Sequence, residues 1–476
     1  MDWTAFGAIP VAILGAIIGS FLNVVIYRLP RGLSVHSPRW SFCPHCSRQI
    51  SPQHNIPIFG WLLLGGRCAH CRAPISIIYP AIEAATALVF VMIWDAFFVA
   101  RTLPVIHEFT HLWPLVLAYF FLFAALLASA AMDIESYTIH IQVLLGAMII
   151  GVVAHGLAGL APLISYDGIL PPSVCLIAIA AGAVWLVTEL SRRLTRRALH
   201  QPEQQEDTPA ETAANPDEHA EHTVPVVRPF QPIPILLLTA LLVGLAAWQS
   251  LAPGAGLHLR VPPWAQRAFV ACCVLMTMLI LSSLESREAD EQIVVDLERE
   301  RHEARSMVLH EFLTLLPAVL VGISLWLWLR QTGRIATTWT ESVDYLGRLV
   351  PGPRYLAAAG RALAAAILAA ATGWTVRILG TLAFRKEAFG TGDIYILAAI
   401  GAVCGLWLVC VSFLLAAVLA LVGVLATSFR KKTRAIPFGP WLALGAFVGL
   451  WVEEPLVQYF RPLGWLAWSL FSGQHT

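Results

Sequence analysis

Two aspartates and four cysteines stand out in this chain by their surroundings. Asp133 lies in Ala131-Met132-Asp133-Ile134-Glu135-Ser136, just past an apolar run, and Asp393 lies in Phe389-Gly390-Thr391-Gly392-Asp393-Ile394, at the head of another. An ionisable side chain beside hydrocarbon is costly and a functional candidate by default. A single carboxylate there is ordinarily an interfacial group at a helix end, and Asp95, Asp167 and Asp344 are read that way. Gly390 and Gly392 set Asp393 apart, because glycines let a backbone bend tightly or approach another chain closely. Ala398, Ala399, Gly401 and Ala402 then permit close helix contact. Two carboxylates a few ångströms apart cannot both ionise easily and share a proton. The ionised member draws a proton from water while the protonated one polarises a carbonyl, a chemistry that suits peptide hydrolysis. Such a pair titrates as a unit, so neither residue alone is assigned as acid or base.

The cysteines form two CxxC pairs, Cys43-Pro44-His45-Cys46 and Cys68-Ala69-His70-Cys71. Four thiolates in that pattern can close a tetrahedral zinc site; disulfides or free thiols are the alternatives. A cytoplasmic position disfavours disulfides. His45 and His70 lie inside the knuckles and are read as lying outside the ligand set. Cys175, Cys272, Cys273, Cys404 and Cys410 fall in apolar runs, where cysteine serves as a small hydrophobe.

The elements that must position these residues follow from composition. Of 476 residues, 58% are apolar and only 13% charged, about half the charged share of an ordinary soluble domain. Roughly 20 apolar residues cross the hydrocarbon layer as a helix. About twelve spans are predicted, near 5–27, 77–99, 112–131, 139–162, 172–190, 233–251, 266–284, 308–330, 357–380, 394–409, 411–428 and 438–453. The fold class is therefore an all-α polytopic membrane protein with a small cytoplasmic zinc-knuckle loop built on the four cysteines. The first run lacks a basic leader and a small-residue cleavage site, and Arg28 and Arg31 follow it, so it reads as a span with its start outside. Arg192-Arg193, Arg196-Arg197 and Arg430-Lys431-Lys432 then all fall inside, whereas Arg334, Arg348 and Arg354 fall outside and fit the pattern poorly. Both aspartates land on the cytoplasmic side. Residues 198–232 are rich in Pro, Glu, Gln and Ala and read as a disordered linker. Residues 284–307 carry both charge signs at helical spacing and read as a solvated helix continuing from a span, with a regulatory or partner-binding helix as the alternative.

Several stretches, in this order, resemble the prepilin peptidases, a family of GxGD intramembrane aspartyl peptidases. Gly390-Thr391-Gly392-Asp393 is similar to the GxGD motif, flanked by Lys386-Glu387-Ala388-Phe389 and Leu397-Ala398-Ala399-Ile400-Gly401-Ala402. Asp133 followed by Ile139 resembles the first-aspartate motif, and Ile436-Pro437-Phe438-Gly439-Pro440 resembles the approach to the last span. At the other end, residues 19–30, Asn55-Ile56-Pro57, residues 64–68 and Tyr79-Pro80-Ala81-Ile82-Glu83 resemble the N-terminal domain of bifunctional members. The resemblance implies catalysis by Asp133 and Asp393, with Gly390, Gly392, Glu83 and Gly66 as motif support and Cys43, Cys46, Cys68 and Cys71 as zinc ligands. It also implies methylation of the new amino terminus with S-adenosylmethionine as donor, although no glycine fingerprint for a nucleotide is present. Two positions depart: His140 stands where the family has proline, and Tyr395 where it has lysine.

The expected organisation is a first span over 1–30, a four-cysteine domain over 31–76 and a first peptidase part over 77–190. An inserted region over 191–356, a second peptidase part over 357–455 and a tail over 456–476 complete it. The family has two spans between its aspartates and this chain has six, and because both numbers are even the aspartates stay on one side. The expected function is leader-peptide cleavage of type IV prepilins or type II secretion pseudopilins at the cytoplasmic face of a bacterial inner membrane. Membrane lipids are expected partners and nucleic acid is not. An inactive scaffold of a pilus or secretion assembly is the competing reading, and a transporter is a third.

Overall fold

The computed structural model describes residues 7–37, 40–99, 109–136, 139–158, 172–199, 290–333, 342–343, 349–350, 354–384, 388–428 and 438–452. In hydrocarbon each backbone N–H and C=O must be paired within the chain, so long apolar runs close as helices. Seven helical stretches among the described residues are long and apolar enough to cross a membrane: Ala8–Arg28, Ile78–Phe98, Leu112–Ser136, Ile141–Ala158, Ser173–Arg192, Val308–Gln331 and Leu356–Phe384. In chain order the helices are α1 (Ala8–Arg28), the short α2 (Phe59–Leu63), α3 (Ile78–Trp94) and α4 (Phe109–Ser136). Then come α5 (Ile141–Ala158), α6 (Pro172–Leu199), α7 (Asp290–Gln331) and α8 (Arg354–Phe384). Three shorter apolar helices close the series, α9 (Thr391–Cys404), α10 (Leu406–Ser428) and α11 (Gly439–Val452). A two-residue antiparallel ladder, Ser342–Val343 with Leu349–Val350, lies between α7 and α8.

These helices correct the sequence reading at several points. Ten of the twelve predicted spans coincide with a helix, while 233–251, 266–284 and nearly all of the predicted linker lie outside the described residues. Twelve is therefore not the number of spans seen. The charged stretch joins the span that follows it: α7 is a single helix of 42 residues from Asp290 into the apolar run. The predicted span 394–409 ends earlier, at Cys404, because Gly405 turns the chain with φ +91° before α10 starts. Asp133 lies inside α4, one turn before its end, and not beyond it.

α9 is the hub. Its residues from Ile396 to Cys404 are all buried, and α8, α5, α10 and α4 pack around it. Ala365 of α8 comes so close that a Cβ on Gly401 would sit 2.7 Å from its carbonyl oxygen. At 14 residues, α9 is ~21 Å long, short of a ~30 Å hydrocarbon layer. Its ends are thus carried by the surrounding helices. α6 and α7 pack on one another and on the outer side of α8.

The first and third helices form a second tight contact. Gly15 and Gly19, four apart on α1, lie against α3 so closely that added Cβ atoms would sit 2.6 Å from Ala87 Cα and 2.7 Å from Glu83 Cα. This is small-residue packing, which replaces the hydrophobic drive absent between helices in lipid. Gly19→Leu is expected to lower stability by about 3 kcal/mol through overpacking. Gly360→Ala, where a Cβ meets nothing within 4 Å, is expected to be neutral or stabilising by up to about 1 kcal/mol. Thermal unfolding of both variants in detergent checks the contrast.

Candidate active site and thiol cluster

Asp133 and Asp393 are both buried, at 7% and 6% exposure. Asp133 comes from the last turn of α4 and accepts a hydrogen bond from the Gly439 amide at the head of α11. A Cβ on Gly439 would lie 2.7 Å from Asp133 Oδ2 and 3.3 Å from both Ile139 Cδ1 and Ile396 Cδ1. Asp393 lies in the first turn of α9, after the extended N-cap residue Gly390. A Cβ on Gly392 would lie 2.7 Å from Ile139 Cβ, and one on Gly390 would lie 3.1 Å from Asp393 Oδ2. Ile139 therefore touches the neighbour of Asp393 on one side and the partner of Asp133 on the other. Two carboxylates remote in sequence border one small cluster walled by glycine backbone.

A ring cluster closes one flank. Phe389 stands 5.7 Å from Phe438 and 6.0 Å from Phe413, and Phe413 stands 6.1 Å from Phe438, centroid to centroid. It ties the residue before Gly390 to the residue before Gly439 and to α10. Gly439 and the ring cluster carry more of the geometry than sequence reasoning assigned them. So does Arg377 of α8, buried at 3% exposure and donating to the Phe389 carbonyl. The available signal was a cation inside an apolar run, which is rare without a task.

The four knuckle sulfurs also meet. Cys43, Cys46, Cys68 and Cys71 place their Sγ atoms within 4.8 Å of one another, with Cys43 and Cys71 3.9 Å apart. A disulfide needs about 2.05 Å, while a tetrahedral ion at about 2.3 Å from each sulfur sets edges near ~3.8 Å. The donor set fits a bound metal ion and not a disulfide. The two knuckles share one backbone plan. Cys43 and Cys68 donate to the carbonyls of Arg48 and Ala73 at 2.9 Å each, and Ser47 and Arg72 donate back to those cysteines. Ser47 and Arg72 both take left-handed φ, +54° and +59°. The His45 and Cys46 amides face Cys43, and the His70 and Cys71 amides face Cys68. Amide donors, with the neighbouring thiols, pull the Cys68 thiol down to about 6, whereas burial pushes Cys43 up to about 11. His45 and His70 contribute no donor atom to the cluster.

Glu83 and Gly66 join this loop to the helices in different ways. The Glu83 carboxylate accepts from the Ile58 amide at 2.6 Å and bonds Ser20 and Asn23 of α1. It thereby holds Ile58 at φ +63°, a costly conformation for a β-branched residue. Gly66 turns at φ +69°, and a Cβ there would lie 2.9 Å from the Trp61 ring. Its observed role is the turn before the second knuckle.

The helices and sites define a polytopic helical membrane protein that bears a four-thiol metal-type module and, at its helix ends, two buried aspartates lined by glycine backbone. Residues 13–97 match the model of the bacterial peptidase A24 N-terminal domain. This segment carries the thiol cluster and Glu83 and ends before either aspartate. A prepilin leader peptidase/N-methyltransferase of Myxococcus xanthus is 47% identical over 78 residues, 16% of this chain and 23% of that one. A type 4 prepilin-like proteins leader peptide-processing enzyme of Escherichia coli O78:H11 is 44% identical over 96 residues, 16% of this chain and 35% of that one. A prepilin leader peptidase/N-methyltransferase of Aeromonas hydrophila is 39% identical over 116 residues, 20% of this chain and 39% of that one. The chain thus spans 23% to 39% of the length of these relatives, and over that part the resemblance to prepilin peptidases holds. No solved structure matches.

The purified protein is expected to carry one metal ion per chain. Cobalt substitution should give the absorption of a tetrahedral thiolate site, and Cys68→Ser should abolish it. Full metal content in Cys68→Ser would contradict a four-thiol site.

Proposed function

We propose that this protein is a membrane aspartyl endopeptidase that removes leader peptides from type IV prepilins or type II secretion pseudopilins. The observation that carries the reading is the convergence of Asp133 and Asp393 on Ile139, Gly392 and Gly439. One carboxylate of the pair is charged and takes a proton from the attacking water. The other is protonated and donates to the scissile carbonyl oxygen, so the oxyanion gains a proton as the C–O bond forms. The proton taken from water then passes to the leaving nitrogen as the C–N bond breaks, and the second carboxylate takes back its proton from a diol hydroxyl as the carbonyl re-forms. Glycine backbone around the pair leaves room for an extended substrate strand.

α5 and α8, which pack directly on α9, are the best candidates for the two spans that the family places between its aspartates. On this reading α6 and α7 are an outer addition with the aspartates kept on the cytoplasmic face of a bacterial inner membrane. Zinc is the ion that four thiolates at these separations suit best, and it braces the loop between α1 and α3. The names of the relatives support methylation of the new amino terminus with S-adenosylmethionine as donor. The described residues contain no glycine-rich strand-to-helix turn for a nucleotide, so no step of that transfer is assigned to a residue.

Cleavage of a pilin precursor by the purified protein is expected to fall at least ~10³-fold in both Asp133→Asn and Asp393→Asn, which keep size but lose the carboxylate. Folded wild-type protein that cuts no pilin-like precursor would favour the scaffold reading. Gly439→Ala brings a methyl group against Asp133 Oδ2 and is expected to lower kcat ~10- to 100-fold with little change in KM. Wild-type kcat in that variant would argue against the placement of Asp133.

A further inference from the structure

A buried ion pair connects the outer helix α7 to the turn that carries Asp393. Arg377 of α8 approaches Glu311 of α7 with Nε at 2.9 Å from Oε1 and 3.1 Å from Oε2, and Nη2 at 2.9 Å from Oε1. The two side chains are only 4% and 13% exposed. The remaining arm of the same guanidinium, Nη1, donates to the carbonyl of Phe389, the residue before Gly390. The Trp374 ring lies 5.9 Å from the guanidinium carbon, and Thr381 of α8 accepts from the Ala388 amide at 3.3 Å. One turn along α7 from Glu311, Thr314 accepts from Arg192 of α6.

Ion pairs in a hydrocarbon-facing bundle are rarely kept for stability, since apolar packing serves at least as well. Planarity is what makes an arginine useful here: one face of its fork fixes the carboxylate and the other fixes a carbonyl. Glu311 belongs to residues 191–356, the region read from the sequence as inserted. The geometry points to Glu311 as a positioning residue for the Gly390–Asp393 turn, acting through Arg377 on the Phe389 carbonyl. α7 thus holds the active-site turn in register although α5, α8, α10 and α4 supply the main packing of α9. Because α7 is one continuous helix from Asp290, any partner that shifts its charged end shifts Glu311 with it. The inference rests on the peptidase reading for its kinetic consequence, but the coupling itself has an independent readout.

The test uses the full chain in detergent. Hydrogen exchange is followed over peptides covering 388–396 and, as a control, the end of α4. Glu311→Gln is expected to raise exchange of 388–392 about tenfold while leaving α4 unchanged. In the same variant kcat for precursor cleavage is expected to fall about tenfold with KM within about twofold. Arg377→Lys, which keeps the charge and loses the fork, is expected to behave alike. The swap Glu311→Arg with Arg377→Glu separates positioning from mere stability. It restores the charge pair and thermal stability, but a glutamate cannot donate to the Phe389 carbonyl, so fast exchange and low kcat should persist. Wild-type exchange in Glu311→Gln, or recovery of slow exchange and kcat in the swap, would overturn the proposal. A wild type that cleaves nothing while Glu311→Gln still loosens 388–392 would reject the peptidase reading and keep the coupling.

Discussion

Ile139 fills the space that side chains at Gly392 and Gly439 would need. That contact brings the head of α9, the head of α11 and the end of α4 to one point. Each helix contributes one component: the turn of Asp393, the amide that bonds Asp133, and Asp133 itself. A larger residue at Gly392 would press on Ile139, and one at Gly439 would press on Asp133 Oδ2 and Ile139. The aspartates are polar groups within a bundle whose walls are apolar, where a buried carboxylate is costly without hydrogen-bond donors such as the Gly439 amide at Asp133. Helix ends that approach so closely require small residues, and the small residues lie at these positions.

The same logic of close approach recurs away from the site. Gly15 and Gly19 dock α1 on α3, and Glu83 ties the loop between those helices to both of them. The metal-type cluster closes the loop by drawing its two knuckles together. Membrane packing, carboxylate and thiols thus restrain one long loop from three directions, as loops without a hydrophobic core of their own require. The turn before Asp393 is restrained in a parallel way, by the Phe389, Phe413 and Phe438 rings, by Thr381 and by Arg377.

The four-thiol cluster and the turn before Asp393 were legible because their motifs are local in sequence. Two CxxC repeats announce a four-thiol cluster, and the glycines before Asp393 announce a tight turn. Span existence was legible from apolar length. The ends were not: α4 continues through Asp133, and α9 stops at Gly405 where hydropathy runs on unchanged. Hydropathy measures transfer into lipid and is blind to a backbone turn. The direction in which the charged stretch continues was equally hidden, since helical spacing shows that Asp290 to Arg305 can be helical but not which span it joins. Glu311 and Arg377 escaped notice because they lie in different segments far apart in sequence, and only the tertiary structure pairs them.

The central claim is that Asp133 and Asp393, proposed as one catalytic pair, lie within reach of one another. A short bifunctional thiol reagent applied to the Asp133→Cys, Asp393→Cys protein tests it without relying on any substrate. The expected result is a mass-identified cross-link between positions 133 and 393 in folded protein, lost on denaturation before treatment. Labelling of both cysteines with no link between them, in protein that is still folded, would contradict the account.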